Sequence, residues 1–118
     1  MASIIKENST NQENRKILID KCGVNEVLSF IGKRWLMSIL YEISLGNNQF
    51  TLLKNNISGI SDHILAVRIN DLVDNYLIQK SEVENTIPLK ITYNITVKGK
   101  QLLCLVDGLN NWNTKWKD

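Results

Sequence analysis

Apolar residues recur at three- and four-residue intervals through the first half of the chain, the spacing that places them on one face of an α-helix. One series covers residues 24–31 and a second covers residues 35–43, with Gly32 between them. The Gly-Asn-Asn segment at 46–48 is a loop signal. The pattern therefore predicts two amphipathic helices that are separated near Gly32 and followed by a loop.

Two further amphipathic stretches follow this loop. Thr51 is predicted to cap a short third helix, because a threonine hydroxyl can accept a hydrogen bond from a backbone N–H of the first turn. The predicted buried side of this helix comprises Leu52, Leu53 and Ile57. After a Ser-Gly turn at 58–59, Ser61 is predicted to cap a fourth helix. Asp62 then falls in its first turn, where the helix dipole favours an acidic group.

The fourth predicted helix, residues 61–76, has one apolar face and one mostly polar face. Projection at about 100° per residue places Leu65, Ile69 and Leu72 at the centre of the apolar face. The opposite face comprises His63, Ala66, Val67, Asn70 and Asp74, and Arg68 lies on the flank. This helix is therefore predicted to pack through one side and to expose the other.

Two strands and a long helix complete the pattern. Residues 77–84 and 90–95 have strand character, the second with strict alternation of apolar and polar positions. The connection between them contains Pro88, the only proline, which suits the tip of a hairpin. Thr96 is predicted to open the last helix. Its apolar stripe comprises Leu102, Leu105, Val106, Leu109, Trp112 and Trp116.

This order of elements predicts a mainly α fold with a small β-hairpin. A short helix, a turn and a second amphipathic helix form a helix-turn-helix, and a hairpin directly after it forms a wing. In such a module the second helix fits the DNA major groove and its first turns reach base edges, while the wing contacts phosphate or the minor groove. The pattern therefore indicates a winged helix-turn-helix with further helices at its N- and C-terminal ends.

The composition is that of one globular domain. The chain has 118 residues, of which 43% are hydrophobic and 22% charged. Residues 1–21 are predicted to form a largely polar N-terminal arm, and residues 22–118 the domain. The apolar runs are too short for a membrane helix, and the N-terminus lacks the apolar region of a signal peptide, so a cytoplasmic location is expected. The net charge of +2 is too small to indicate a nucleic-acid partner by itself.

The residue inventory argues against an enzyme. Two cysteines and one histidine are too few for a disulfide framework or a zinc site, so neither a metal nor another cofactor is expected. The chain also lacks the spacing of a nucleophile with its base, a phosphate-binding loop, or paired carboxylates in a plausible pocket.

An ordered set of residues from Cys22 to Trp112 has the spacing of a known family. The set comprises Cys22, Ile31-Gly32-Lys33-Arg34-Trp35, Ile39-Leu40, Gly46, Gln49-Phe50-Thr51, Gly59-Ile60-Ser61, Leu65, Arg68, Ile69, Leu72, Pro88, Tyr93, Thr96, Gly99 and Trp112. The chain thereby resembles the HxlR family of bacterial winged helix-turn-helix regulators, within the MarR-like superfamily. The resemblance implies a DNA-binding dimer joined through its N- and C-terminal helices.

The chain departs from the family pattern at three positions. Lys33 stands where a second glycine is usual, and Gln49 stands where an arginine is usual, which weakens any phosphate contact there. Tyr76 replaces a glycine before the first wing strand. Because tyrosine adopts a positive φ poorly, the backbone conformation of that turn is in question.

The candidate DNA contacts lie on the fourth helix and around it. They are Ser61, His63, Ala66, Val67, Arg68, Asn70, Lys54 and Lys90. His63 and Asn70 are candidates for hydrogen bonds to base edges, and Ala66 or Val67 for contact with a thymine methyl. The simpler alternative is a solvated helix face in which His63 has no role. Arg68 is assigned to phosphate, with an ion pair to Asp71 or Asp74 as its structural alternative.

The stripe on the last helix is a candidate dimer interface. Its proposed contact residues are Leu102, Leu105, Leu109, Trp112 and Trp116. A two-fold dimer would set paired helices about 34 Å apart on a palindromic operator. The alternative is that the stripe packs back on the first helix of its own chain.

Cys22 is a candidate redox residue. A thiol beside Lys21 and just before a helix has a stabilised thiolate, and some members of the resembling family sense oxidants or electrophiles there. The alternative is a small buried apolar residue. Cys104, between leucines in the last helix, is predicted to be inert packing.

Together these observations predict a homodimeric, sequence-specific DNA-binding transcriptional regulator, with a redox or electrophile response through Cys22 as a further hypothesis. The alternative from another class is a winged-helix protein-interaction module without DNA binding. The operator, the inducing signal and any small-molecule effector are not specified by the residue pattern.

Overall fold

The computed structural model describes residues 23–117, and the predicted arm at 1–21 therefore lies outside the described residues. The described part falls into two units, and the first ends at Lys33. It contains helix α1, Val24–Ile31, which begins after Gly23 with its left-handed φ of 81° and ends at Gly32. The predicted helix and the predicted break are thus confirmed. The apolar side chains of Val24, Val27 and Leu28 are exposed.

The second unit begins at Arg34 and contains the remaining elements. They are α2 (Leu36–Ser44), α3 (Phe50–Asn56), α4 (Asp62–Asp74), β1 (Ile78–Val83), β2 (Lys90–Ile95) and α5 (Val97–Lys115). Helix α2 lies at the centre, since it packs against α3, α4, β2 and α5.

The core of this unit consists of aliphatic side chains together with one tyrosine. The buried residues are Leu36, Ile39, Leu40, Ile43, Leu53, Ile57, Ile60, Leu65, Ile69, Leu72, Leu77, Ile78 and Tyr93. The apolar faces predicted for α2 and α4 are confirmed by this set. Leu52 was predicted to be buried with Leu53, and this prediction is wrong because Leu52 is 36% exposed. Burial raises the pKa of the Tyr93 hydroxyl above its usual value of 10.0.

The start of α3 differs from the prediction. The helix begins at Phe50, one residue before Thr51, and Gln49 is its N-cap without a side-chain hydrogen bond. The Leu53 N–H donates to the Gln49 carbonyl at 2.9 Å, so the first intrahelical bond already involves residue 49. Thr51 therefore lies inside the helix, and its predicted capping role is wrong.

The hairpin is a two-stranded antiparallel sheet. Ile78 pairs with Ile95 at its base, and Val83 pairs with Lys90 near its tip. On the other edge of β2, the Tyr93 N–H donates to the Asn48 carbonyl at 2.9 Å, which ties the base of the hairpin to the loop after α2. Only Ile78 is buried in β1, so the hairpin projects from the core beyond its base.

Two bulky residues adopt a left-handed backbone at helix ends. Trp35 has φ 76° just before α2, and the Arg34 guanidinium lies 4.8 Å from the centre of its ring. Tyr76 has φ 59° between α4 and β1. The turn therefore has a backbone conformation that glycine adopts readily. For a tyrosine, the same conformation is energetically unfavourable because its Cβ approaches the backbone closely.

Helix α5 is anchored by its first turn. The Thr96 hydroxyl accepts from the Gly99 N–H at 3.1 Å and donates to the Tyr76 carbonyl at 2.7 Å, which confirms the predicted helix start. A Cβ on Gly99 would lie 2.3 Å from the Leu77 carbonyl oxygen. Glycine is thus required here by the close approach of α5 to the start of β1.

The described residues form five helices and one antiparallel hairpin, in the order helix-turn-helix, wing and terminal helix. This is the winged helix-turn-helix architecture, and the predicted mainly α class with a small hairpin is confirmed. Between residues 23 and 117, none of the helices is long and apolar enough to cross a membrane.

Candidate nucleic-acid interface

The N-terminal end of α4 is capped as the sequence predicts. The Ser61 Oγ accepts from the Ile64 N–H at 3.1 Å, and Asp62 is the first helical residue. Ser61 is itself exposed. The helix therefore begins at the surface, with residues 61–63 exposed and Leu65 as its first buried residue.

The two faces of α4 separate cleanly. Leu65, Ile69 and Leu72 are buried at 0, 3 and 0% exposure. On the other side His63, Ala66, Asn70 and Asp74 are exposed, and Val67 is half-buried. The residues proposed for base contact thus lie together on one accessible face, and their contact with bases stays a prediction.

Arg68 joins α4 to the start of α2. Its Nε donates to the Arg34 carbonyl at 2.8 Å, and its guanidinium pairs with Asp71 at 3.2 Å. Its side chain is only 19% exposed. The ion pair with Asp71, which was the structural alternative for this residue, is therefore present. Contact of Arg68 with phosphate stays a prediction.

Lys54 connects α3 to the beginning of α4. Its ammonium lies 3.3 Å from the Asp62 carboxylate and also donates to the Ile60 carbonyl. The side chains of Lys54 and Asp62 are 38% and 76% exposed. Periodicity does not reveal this pair, because the turn at residues 57–60 decides which side chains of the two helices meet.

The wing carries another candidate DNA contact, Lys90, which is exposed at the start of β2. Its backbone N–H donates to the Thr86 hydroxyl at 3.0 Å, and that hydroxyl donates to the Val83 carbonyl at 2.9 Å. Two apolar side chains of the tip are exposed, Ile87 fully and Leu89 to 54%. Thr86 therefore holds the connection between the strands.

An open groove separates the wing from the start of α3. Its volume is about 480 Å³, and it is lined by Gln49, Phe50, Thr51, Thr86, Pro88, Leu89, Lys90 and Ile91. The sequence analysis did not anticipate this groove, because it depends on how the hairpin connection folds beside α3.

The apolar stripe of α5 is largely uncovered. Leu105, Leu109, Trp112 and Trp116 are 66, 52, 65 and 69% exposed, and Leu102 is half-buried. Gly99 is the only residue of α5 that is buried. The face is therefore accessible to a partner, while the two-fold dimer itself stays a prediction.

The two cysteines have different outcomes. Cys22 lies outside the described residues, so its redox role is untested. Cys104 is a free, exposed thiol, and the prediction that it is inert packing is wrong. It falls on a part of α5 that contributes no buried residue, because only the first turn of this helix is packed closely. Among residues 23–117, no three His, Cys, Asp or Glu side chains are grouped to hold a metal ion.

Comparison with known proteins supports this architecture. The HxlR-like helix-turn-helix family model matches residues 30–118. An HTH-type transcriptional regulator of Methanocaldococcus jannaschii is 36% identical over 92 residues, which cover 75% of this chain and 79% of that protein. The HTH-type transcriptional regulator YdzF of Bacillus subtilis is 35% identical over 86 residues, 72% of this chain and 78% of the relative.

Solved structures give the same result. The reduced form of the transcriptional regulator YodB from B. subtilis superposes with a TM-score of 0.72 at 26% identity, covering 80% of this chain and 91% of that one. Diamide-treated YodB superposes with a TM-score of 0.70 at 26% identity, over 80% and 92% of the two chains. These relatives are transcriptional regulators and not enzymes, in agreement with the prediction from the residue inventory. The chain belongs to the HxlR-like helix-turn-helix family and is a transcriptional regulator.

Proposed function

We propose that this regulator acts in the cytoplasm as a homodimer that binds a palindromic DNA operator through α4. The observation that carries the proposal is the accessible face of α4 with its capped N-terminal end, in a chain whose hairpin projects from the core. In helix-turn-helix proteins the corresponding helix lies in the major groove and its N-terminal residues contact base edges. His63, Ala66, Val67 and Asn70 are the proposed base contacts, and Ser61 lies at the end nearest phosphate.

Positive charge around α4 supports binding to the DNA backbone. Lys90 is exposed near the wing tip, and Lys54 flanks the start of α4, where Asp62 at 3.3 Å offsets part of its charge. The guanidinium of Arg68 is paired with Asp71, which offsets its positive charge. We therefore expect Arg68 to contribute less than the lysines to attraction of the DNA phosphates. The low net charge of +2 means that the attraction is local, not a property of the whole chain.

The direct test is binding of the purified chain to the DNA upstream of its own gene, measured against salt. A specific site should bind at least about a thousandfold more tightly than random DNA, and both affinities should fall as salt rises. Equal binding of specific and random DNA at every salt concentration would refute the proposal. Loss of all DNA binding, with a defined protein partner instead, would favour the interaction-module alternative. The exposed apolar wing tip around Ile87 is the observation that favours that alternative.

The homodimer is supported by the uncovered stripe on α5. A stripe with two tryptophans is unusual on a surface that faces only water, since interfaces are enriched in such residues. Sedimentation at micromolar concentration should give twice the mass of the 13.5 kDa chain. A mass of one chain across the concentrations at which DNA binds would contradict the dimer.

A redox or electrophile response is proposed for Cys22. YodB has been solved both reduced and after treatment with diamide, a reagent that oxidises thiols, which supports a thiol-based response in a relative. Oxidation or alkylation of Cys22 should change the affinity for DNA by biasing one dimer geometry over another. The matched variants are Cys22→Ser and Cys104→Ser. The first should abolish the response and the second should retain it, whereas the reverse result would assign the response to Cys104.

A further inference from the structure

An acidic side chain occupies the turn of α4 that is proposed to approach DNA. Asp62 is the first residue of the helix, and its side chain is 76% exposed. Its ion pair with Lys54 places it on the side of the helix that faces α3. A negative charge at this position is repelled by phosphates, so it does not serve attraction to the DNA backbone.

Lys54 fixes the position of this carboxylate. Its ammonium lies 3.3 Å from Oδ1 of Asp62 and also donates to the Ile60 carbonyl, so that it is held at two points. An exposed ion pair of this kind adds little to stability. Its effects here are to restrict where the carboxylate points and to offset its charge near DNA.

The chemistry of base edges limits what such a carboxylate can contact in the major groove. An ionised carboxylate only accepts hydrogen bonds. Guanine presents the acceptors N7 and O6, thymine presents O4 and a methyl group, and adenine presents N7 beside its amine. Cytosine presents only the N4 amine, which is a donor. Among the four bases, a fixed carboxylate therefore favours cytosine.

We infer that Asp62 determines base preference at one position of each half-site, by accepting a hydrogen bond from a cytosine N4 amine while Lys54 holds its carboxylate in place. This inference rests on the proposed DNA binding. It makes Asp62 a specificity residue and Lys54 a positioning residue.

The experiment is selection from a randomised duplex library with the full-length chain, followed by affinity measurements on the enriched site. The wild-type motif should contain a cytosine whose replacement by any other base weakens binding about tenfold. Asp62→Asn has nearly the same shape but presents an amide donor, and it should reduce that penalty to about twofold or less. Asp62→Glu keeps a carboxylate and should retain part of the preference.

Asp74→Asn is the matched control. Asp74 is exposed in the last turn of the same helix, so this change removes one negative charge without touching the first turn. Both variants should bind random DNA slightly more tightly, and only Asp62→Asn should lose the cytosine preference. Lys54→Gln should lower the preference without eliminating it, because the carboxylate remains but is no longer held.

The outcomes separate this inference from the proposed function. A wild-type chain that enriches no sequence would refute both. An enriched motif without a cytosine preference, an unchanged motif for Asp62→Asn, or the same change of motif for Asp74→Asn would refute the role of Asp62 alone. Thermal unfolding of each variant shows whether the chain is folded, and Asp62→Ala, which also lacks the carboxylate, repeats the test if Asp62→Asn does not fold.

Discussion

Helices α4 and α5 are both amphipathic, but they use their apolar residues in opposite ways. In α4 the three residues at the centre of the apolar face are buried within the chain, and the polar face is exposed. In α5, which has 19 residues, Gly99 alone is buried and the apolar stripe is exposed. Helix α4 is therefore stabilised by packing against the rest of its own chain. In the part of the chain that the structure describes, the apolar face of α5 is left exposed, and the proposed homodimer would cover it.

The largest expected effect comes from the same leucine truncation in each helix. Leu65 is completely buried in α4, so Leu65→Ala should lower the free energy of unfolding by about 2–5 kcal/mol. Leu109 is 52% exposed in α5, so Leu109→Ala should weaken the dimer more than the fold of one chain. Urea denaturation at several protein concentrations measures both effects.

The concentration dependence is the readout that distinguishes the two variants. If a dimer forms, the wild-type midpoint rises with protein concentration. Leu65→Ala should lower the midpoint and keep this dependence, while Leu109→Ala should reduce the dependence itself. Leu45→Ala is the control, because it truncates a leucine that is 59% exposed just after α2. It should change neither the urea midpoint nor the dependence of the midpoint on protein concentration. If Leu65→Ala and Leu109→Ala lower the free energy of unfolding equally at every protein concentration, the proposed difference between α4 and α5 is contradicted.

Substitutions at two glycines of α5 compare the part of the helix that packs close to the start of β1 with the part that is exposed. A Cβ on Gly99 would overlap the Leu77 carbonyl oxygen, so Gly99→Ala should lower the free energy of unfolding by about 1–3 kcal/mol. Nothing lies within 4 Å of a Cβ on Gly108, so Gly108→Ala should raise it by about 0.5–1 kcal/mol through helix propensity. Thermal unfolding of both proteins gives the comparison. A destabilising Gly108→Ala would reveal that a partner approaches α5 closely at this point.

The left-handed backbone of Tyr76, in the turn after α4, destabilises the fold by a smaller amount, and replacing this residue with glycine should remove that destabilisation. Tyr76 is 74% exposed with φ 59°, so Tyr76→Gly should raise the free energy of unfolding by up to about 1 kcal/mol. The gain is limited by the greater freedom of glycine in the unfolded chain and by loss of the Lys98 ammonium 6.0 Å from the tyrosine ring. Asn85→Gly is the control, because asparagine at φ 61° tolerates this conformation better. A gain at Asn85 that exceeds the gain at Tyr76 would contradict this account.

The smallest effect is a change of stability at alkaline pH. Burial raises the pKa of Tyr93 in the folded state above its usual value of 10.0. The folded state therefore holds this proton more tightly than the unfolded state. Its contribution to stability is complete below about pH 10 and decreases as pH rises from there through the folded-state pKa. In pH titrations of urea stability, Tyr93→Phe should show a shallower alkaline decrease than wild type, and Tyr41→Phe, at a 52% exposed tyrosine, should not.

The sequence predicted most of the fold because helix and strand periodicity report which side of each element is buried. The apolar faces of α2 and α4, the cap at Ser61, the strand at 90–95 and the start of α5 at Thr96 all agree with the structure. The predictions for Leu52, Thr51 and Cys104 are wrong. A short helix offers too few turns to define its face or its first residue, and apolar neighbours along a helix do not show whether anything packs on it.

The order of elements, the accessible face of α4 and membership of the family were thus determined by the sequence itself, since local periodicity and ordered motifs carry them. Only the tertiary structure decided that Arg68 donates to the Arg34 carbonyl, that Lys54 pairs with Asp62, and that Tyr76 has a left-handed backbone. The two side-chain contacts depend on how turns direct separate segments of the chain toward each other. The chain pattern of hydrophobic and polar residues carries no information about that direction.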